Sequence, residues 1–547
     1  MCGRRSRLTK VTALSTADCY SITVMPGLSR LFLDFCSGSE PATSFFPSFE
    51  NWQKRPALPS HWQDVLKVIA EQNPSKAAAP ALAALAQGAG TVLTGQQVGL
   101  FGGTLLVPLK AATALGHARN ATAQGQPHVA IFWLASEDHD FAEINHISLP
   151  TGRGLEKLEY SQPGENVPAV PVGRVVLGDN VAELTAKACE LLGPSDATDA
   201  LAAAYKPGRS FSQAFADFYS NIFAAQGLLV LDASCREIHR IGAPVLRAAI
   251  ERADEFNAAL LARNEELQAA GYHAQVAVAE HSSLLFLIDE STGARNALKR
   301  TAPNATEPSG IWQAGGHSYS AADLIGILDA TPERISPSAL LRPVFQDFLL
   351  STSLIVGGPA EVAYFGQSGV LYERILGRQT PAASRQFASL IEPPIAKLLD
   401  RHELSLDRVF EGDAASLAQR FAARSMPVET KQKLAAAGNA LDAELNTLVE
   451  WMQSQDKGLG QSAETAAGKI MYQMNRLRTL AANFQLQRES SYTRHAESIC
   501  NALFPEGVLQ DRVHGAAYYF ARYGIELAET LTAHAQECCP GHKAIRL

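Results

Sequence analysis

Glu137, Asp138, His139 and Asp140 stand in unbroken succession just after the apolar run His128-Val-Ala-Ile-Phe-Trp-Leu134, with Glu143, Asn145 and His146 close behind. That density of acids and imidazoles admits three kinds of chemistry. An extended backbone puts Asp138 and Asp140 on one face and Glu137 and His139 on the other. Two carboxylates about 7 Å apart at an effective dielectric of about 20 repel by roughly 2.4 kcal/mol. Such repulsion lifts one carboxyl by more than a pKa unit and poises it as a general base or as part of a cation site. If the chain turns helical after Ser136, then His139, Glu143 and His146 fall at i, i+4 and i+7 on one face, a metal set. In the third reading the acids cap a helix N-terminus and pair with nearby arginines.

Two more strings offer binding chemistry. In Thr94-Gly-Gln-Gln-Val-Gly-Leu-Phe-Gly-Gly103 the glycines let the backbone turn and approach a ligand. The helix expected next would aim its N–H groups at the same spot, which favours a phosphate or carboxylate. Gly95, Gln96, Gln97, Gly99 and Phe101 are the candidates there. The string matches neither GxGxxG nor GxxxxGK[ST], and a turn that needs glycine for packing alone is the alternative. The other string, Leu354-Ile-Val-Gly-Gly-Pro-Ala-Glu-Val-Ala-Tyr364, turns at Gly357 and Gly358 and leaves Glu361 and Tyr364 within one helical turn of each other. Upstream, Arg342 and Gln346 are near in sequence, and Arg342 suits either a bidentate carboxylate clamp or a structural ion pair. Cys235, after Asp232-Ala-Ser, is the least implausible thiol nucleophile.

The elements that must carry these residues are short apolar strands. Segment 128–135 lacks period-2 alternation and reads as a strand covered on both faces, and 88–95, 228–234 and 352–357 read as further strands. Helical patterns between several of them predict an α/β fold with a Rossmann-like, doubly wound parallel sheet, whose ligands bind at the strands' C-terminal edge. Two stretches break the alternation and read as insertions. The expected layout is an extension over 1–25 outside the fold, core over 26–150, a first insertion over 151–210 and core over 211–255. A second insertion follows over 256–335, then core over 336–395, a helical domain over 396–505 and a return segment over 506–547.

In the helical domain Leu434, Leu441, Leu445, Leu448 and Met452 form one heptad seam, and Ile470, Met474, Leu477, Ala481 and Phe484 a second. Asp456-Lys-Gly-Leu-Gly460 separates them, so an antiparallel coiled coil about 42 Å long is expected, with apolar surface left for a second copy.

At 547 residues the chain exceeds one core. With 19% charged and 46% apolar residues it suits a globular protein, and a net charge of −8 supplies no basic field for nucleic acid. No 18-residue apolar run is present, so no membrane span is expected. Eight scattered cysteines without a pairing rhythm point to a reducing cytoplasm.

Four strings in one order give a resemblance that covers about residues 26–530. They are Thr94-Gly-Gln-Gln-Val-Gly-Leu-Phe101; Phe132-Trp-Leu-Ala-Ser-Glu-Asp-His-Asp-Phe141 with Glu143-Ile-Asn-His146; Gly357-Gly-Pro-Ala-Glu-Val-Ala-Tyr364; and Leu503-Phe-Pro-Glu-Gly-Val-Leu-Gln-Asp-Arg512. Together they resemble the BshC family, the cysteine ligases of bacillithiol biosynthesis. The resemblance implies a Rossmann-like core broken by two connecting insertions and a coiled coil that makes a homodimer. It also implies an amide bond formed between cysteine and glucosaminyl-malate in the cytoplasm. The layout is similar to class I aminoacyl-tRNA synthetases, yet their His-x-Gly-His and Lys-Met-Ser-Lys-Ser strings are missing. ATP (or ADP) is therefore expected from the energetics of amide formation, and no metal is assigned.

The chain departs from the family at Gly102-Gly103-Thr104, where Pro usually follows the glycine, and at Ser384-Arg385, where a Pro-Arg pair is usual. The first departure bears on the shape of the anion loop, the second only on how the core leads into the coiled coil. On this reading Asp138 or Asp140 deprotonates the attacking amine with His139 as shuttle, Gln96 and Gln97 donate to an anion, and Glu361 and Tyr364 hold the cysteine ammonium. Glu137, Asn145 and His146 complete the substrate wall. A metal-dependent hydrolase of amidohydrolase type and a non-catalytic coiled-coil assembly protein are the alternatives.

Overall fold

The computed structural model describes residues 17–152, 154–162, 168–301, 310–537 and 539–547. Two compact units divide the chain, one made of residues up to Ser389 together with Asp511–Ile545, the other of Leu390–Gln510. The first contains five parallel strands: β1 (Gly90–Gln96), β2 (His128–Leu134), β3 (Leu229–Asp232), β4 (Leu354–Gly357) and β5 (Ala382–Ser384). Their order across the sheet is β3-β2-β1-β4-β5. The chain thus builds outward from β1 in one direction and then returns to build outward in the other. Between β1 and β4 the winding reverses, and helices diverge there to leave a crevice.

Both faces are covered, which is why the strands read as unbroken apolar runs. All seven residues of β2 are buried. Ile131 and Trp133 pack with Leu93 and Leu231 under Trp62, Ile238 and Phe345. On the other face Phe132 stacks on Tyr219. The first insertion carries two helices as well as one strand of a β-hairpin. After a hairpin of His146–Thr151 with Gly154–Glu159 come helices Asn180–Leu192 and Asp196–Ala204. In the second insertion Leu285–Ile288 pairs with Arg295–Ala297 and Ile335–Pro337.

The N-terminal segment set aside from the fold proves part of it from residue 17 onward. Ala17–Tyr20 pairs antiparallel with the C-terminal strand, Ala17 opposite Ile545 and Tyr20 opposite His542. Residues 1–16 of that expected extension lie outside the described residues. The same pairing corrects the cysteine reading, because Cys19 and Cys539 form a disulfide across 520 residues of sequence. Spacing alone cannot signal a pair that only the fold brings together.

The second unit contains two long helices, Val428–Gln455 and Lys457–Arg488, with Asp456 as the single non-helical residue between them. Asp456 caps the second helix by accepting from the Leu459 N–H at 2.9 Å. A Cβ on Gly460 would meet Gln453, and one on Gly438 would meet Arg478, so the helices run antiparallel. Their contact line follows much of the predicted seam: Met474 is buried and Leu434, Leu441, Leu445, Met452 and Ala481 are half-buried, with Gly438, Gly460 and Ala482 buried beside them, whereas Leu448, Ile470, Leu477 and Phe484 face outward. Small residues let the backbones approach. None of the described helices is long and apolar enough to cross a membrane.

A candidate active site at the sheet's reversal

The crevice between β1 and β4 holds a cavity of about 450 Å³, lined by Gly95, Gln96 and Gln97 from the end of β1 and by Gly358, Glu361 and Tyr364 beyond β4. Asp138 and Glu143 enter from beyond β2, Arg342 and Gln346 from the helix Arg342–Leu350, and Arg385 from beyond β5. Lys110, on the helix Leu106–Ala123, and Arg512 complete its polar lining. A side chain at residue 95 would place its Cβ 2.9 Å from the Trp133 carbonyl oxygen, so β1 and β2 approach closely here only because residue 95 is glycine.

Lys110 is the organising charge. Its side chain is 2% exposed, and Nζ donates to the Gly95 carbonyl and to Gln96 Oε1, both at 2.8 Å, while pairing with Glu361 Oε2. Glu361 Oε2 also accepts from the Gly358 N–H at 2.8 Å. Burial pushes the Lys110 ammonium below the ordinary lysine value against the pull of Glu361. This pair ties the end of β1 to the turn after β4. Sequence reasoning passed over Lys110; the available signal was a lone lysine in the apolar stretch Leu105–Leu115.

The acids separate into different roles. Gln97 Nε2 donates to Asp138 Oδ2 at 2.7 Å and to Glu143 Oε2 at 2.9 Å, so this amide is spent on carboxylates instead of an anion. Asp138 Oδ1 accepts from the His139 N–H at 2.7 Å. Burial raises the Asp138 carboxyl, but the Gln97 and His139 donors outweigh it and hold it below the usual carboxylate range. The expected upward shift from Asp138–Asp140 repulsion is thus reversed. A turn at Ser136–Glu137 diverts the chain, and Asp140 caps the helix Phe141–Ile144 outside the cavity. That helix ends before His146, which opens a strand, so His139, Glu143 and His146 do not share a helical face. Among the described residues no group of three or more His, Cys, Asp or Glu is arranged to hold a metal.

Glu137, His139, Asn145 and His146 lie behind the cavity wall. Glu137 Oε1 is 2.8 Å from Nε2 of the buried His239. Burial raises the Glu137 carboxyl, yet His239, Arg295 and Arg342 together hold it low. His139 Nδ1 is 3.3 Å from Arg295 Nη1. Asn145 donates to the Tyr160 carbonyl, and its Oδ1 is 3.1 Å from His146 Nδ1. Burial pushes the Cys235 thiol up, the wrong direction for a nucleophile.

The rest of the glycine string does not reach the cavity either. The Tyr205 hydroxyl donates to the Gly99 carbonyl at 3.0 Å and accepts from the Gly102 N–H at 2.9 Å. Tyr219 donates to the Gly102 carbonyl, and the buried Phe101 ring packs against Tyr205. With its backbone groups taken up inside the protein, the 99–103 turn serves packing. Gly357 closes β4 beneath the cavity, where a Cβ would meet Phe365. Glu361 is committed to Lys110, and the Tyr364 hydroxyl accepts from Arg342 Nη2 at 2.9 Å. Burial pushes the Tyr364 phenol up to about 12, so it stays protonated. Neither group is free to hold an ammonium.

Cationic groups dominate what remains. Arg342 forms no ion pair among the described residues. The Arg385 side chain is fully buried, with Nη1 2.8 Å from Asp511 Oδ2 and with Nε and Nη2 unpartnered among the described residues. Ser384-Arg385 therefore bears on the cavity wall, and not merely on the path toward the coiled coil.

A parallel sheet of this order, with a polar cavity at its reversal and a separate helical hairpin, defines a Rossmann-like α/β protein with an appended coiled-coil unit. The family described as "Bacillithiol biosynthesis BshC, N-terminal Rossmann-like domain" matches residues 17–382, and its "C-terminal coiled-coil domain" matches residues 388–547. A "Putative cysteine ligase BshC" from Koribacter versatilis (strain Ellin345) is 38% identical over 541 residues, 97% of this chain and 99% of its own. The protein of the same name from Solibacter usitatus is 32% identical over 538 residues, 96% and 99%. That from Salinibacter ruber is 30% identical over 536 residues, 94% and 96%. The chain belongs to the BshC family of bacillithiol biosynthesis.

Removing one partner of a buried pair strands the other charge. Glu361→Gln is expected to lower unfolding stability by about 3 kcal/mol, and adding Lys110→Met should restore at least half of the loss in urea titrations. Strictly additive losses would show that the two groups are not coupled.

Proposed function

We propose that this chain is the ligase that joins the carboxyl of L-cysteine to the amine of glucosaminyl-malate, the last step of bacillithiol assembly, and that the cavity between β1 and β4 is where it does so. The observation that carries the reading is a cavity that Arg342, Arg385 and Arg512 line together with Asp138 and Glu143, the two carboxylates bridged by the Gln97 amide. Both malyl carboxylates, and the phosphates of a nucleotide, are anions that arginines attract, and the three suit ATP as well as they suit malate. ATP, when bound, supplies the group that activates the cysteine carboxyl.

The chain's own residues do the rest. Arg342 clamps an anionic group with the N–H groups that Tyr364 leaves over. Asp138, held ionised, accepts a hydrogen bond from the neutral sugar amine, orients its lone pair toward the activated carboxyl, and takes the proton the nitrogen loses as the C–N bond forms and the activating group departs. Its lowered pKa makes it a weak base, so positioning is its larger contribution. Incubation with cysteine, glucosaminyl-malate and ATP should give, by mass, the amide product with loss of one water relative to its two halves. Asp138→Asn should lower kcat by at least about 100-fold, with the fold retained by circular dichroism. Unchanged turnover would remove Asp138 from the mechanism; no product from the unaltered protein would remove the reaction.

The same proposal includes a homodimer through the helical hairpin. Leu477 and Phe484 lie one heptad apart and are 56% and 60% exposed, and Leu448 and Trp451 are exposed on the neighbouring helix. A soluble monomer rarely leaves so much apolar surface in water. The double substitution Leu477→Glu, Phe484→Glu should halve the sedimentation mass at unchanged helix content. A monomeric unaltered protein, or a doubly substituted one that still dimerises, would contradict it.

A further inference from the structure

The disulfide between Cys19 and Cys539 joins the two terminal segments, and its two halves stand in different surroundings. Cys19 lies on Ala17–Tyr20, a strand at a sheet edge whose first three residues are exposed. Cys539 is half-buried and lines a cavity of about 700 Å³ together with Cys36, Phe46 and His117. A disulfide exchanges where a thiolate can reach one of its sulfurs. Solvent reaches the Cys19 side. Burial pushes the Cys36 thiol up to about 12, so it stays protonated in that cavity and does not compete as a nucleophile.

The bond also has something to control. Among the described residues Ala17–Tyr20 pairs with the C-terminal strand alone, through four residue pairs from Ala17 opposite Ile545 to Tyr20 opposite His542. A short edge strand held by so few contacts opens readily once its covalent tie is cut. The same contacts let the tie re-form: a Cβ on Gly541 would meet the Tyr20 carbonyl, so the segments carrying the two sulfurs touch without the bond.

We infer that Cys19–Cys539 is a thiol-exchange latch, which a low-molecular-weight thiol opens at Cys19, loosening the terminal strand pair and the cavity wall at Cys539. The thiolate attacks Cys19 Sγ; a new S–S bond forms there, the Cys19–Cys539 bond breaks, and its electron pair leaves on Cys539, which takes the proton the small thiol gave up. A second thiolate attacks the small-molecule sulfur of that mixed disulfide and releases Cys19, which is protonated in turn. Two small thiols are oxidised to their disulfide and one protein disulfide is reduced. The small disulfide drives the reverse. The inference is independent of the reaction proposed above.

The test uses the full chain with 2-mercaptoethanol and its own disulfide as the redox pair. After treatment with the small disulfide, alkylation and mass mapping should find Cys19 joined to Cys539 and Cys36 free. Brief exposure to the thiol should leave the probe on Cys19, and longer exposure should free both cysteines. Amide exchange across Ala17–Tyr20 should quicken at least fivefold on reduction and slow again on reoxidation. Cys19→Ser should exchange at the fast rate under both conditions. Cys19 unlinked or joined to the adjoining Cys538 after oxidation, the probe found first on Cys539, exchange unmoved by reduction, or a Cys19→Ser chain that still responds would each overturn the inference.

Discussion

Everything at the reactive edge depends on one buried ion pair. A parallel sheet that reverses its winding leaves a gap between two strands, and here the gap is spanned by the Lys110 ammonium, bonded to the Gly95 carbonyl and the Gln96 side-chain oxygen at the end of β1 and paired with Glu361 of the turn after β4. A charge taken out of water is tolerated only when its hydrogen bonds are met inside the protein. Lys110 meets them with a backbone carbonyl, an amide oxygen and a carboxylate that itself holds the Gly358 N–H. The two strand ends that bound the cavity are thereby fixed relative to each other, and the arginines enter a preformed frame.

The division of labour among the acids follows from how each is satisfied. Asp140 is consumed by a helix cap, Glu137 by His239, and Glu361 by Lys110, which leaves Asp138 and Glu143, bridged by the Gln97 amide, as the carboxylates of the cavity. An estimate from bare Coulomb repulsion pointed to a raised carboxyl. Local donors reversed the sign, because hydrogen bonds of 2.7 Å to a carboxylate act at shorter range than a like charge one turn away.

Much of the fold was legible because its cause is local. Strands buried on both faces need apolar runs, and four of the five core strands announced themselves that way; β5 is only three residues long and did not. The strings ending at Gln97 and at Tyr364 marked the two sides of the crevice for the same reason. What sequence hid depends on tertiary partners. Lys110 and Arg385 acquire meaning only from Glu361 and Asp511, which lie 251 and 126 residues away. The disulfide needs the two termini to pair first. The turn at 99–103 looked like an anion cradle until Tyr205 and Tyr219 occupied its backbone groups. In the coiled coil most of the heptad seam is half-buried or buried as expected, but the close approach at Gly438 and Gly460, and the outward turn of Leu448, Ile470, Leu477 and Phe484, depend on the partner helix.

The central claim is that the frame held by Lys110 and Glu361 is where substrate binds. Amide hydrogen exchange of the full chain, with and without glucosaminyl-malate, tests it most directly. The account predicts that Gln96–Gln97 at the end of β1 and Gly358 beyond β4 gain protection together at the same ligand concentration. Protection confined to other segments, with both strand ends unchanged at saturation, would contradict it.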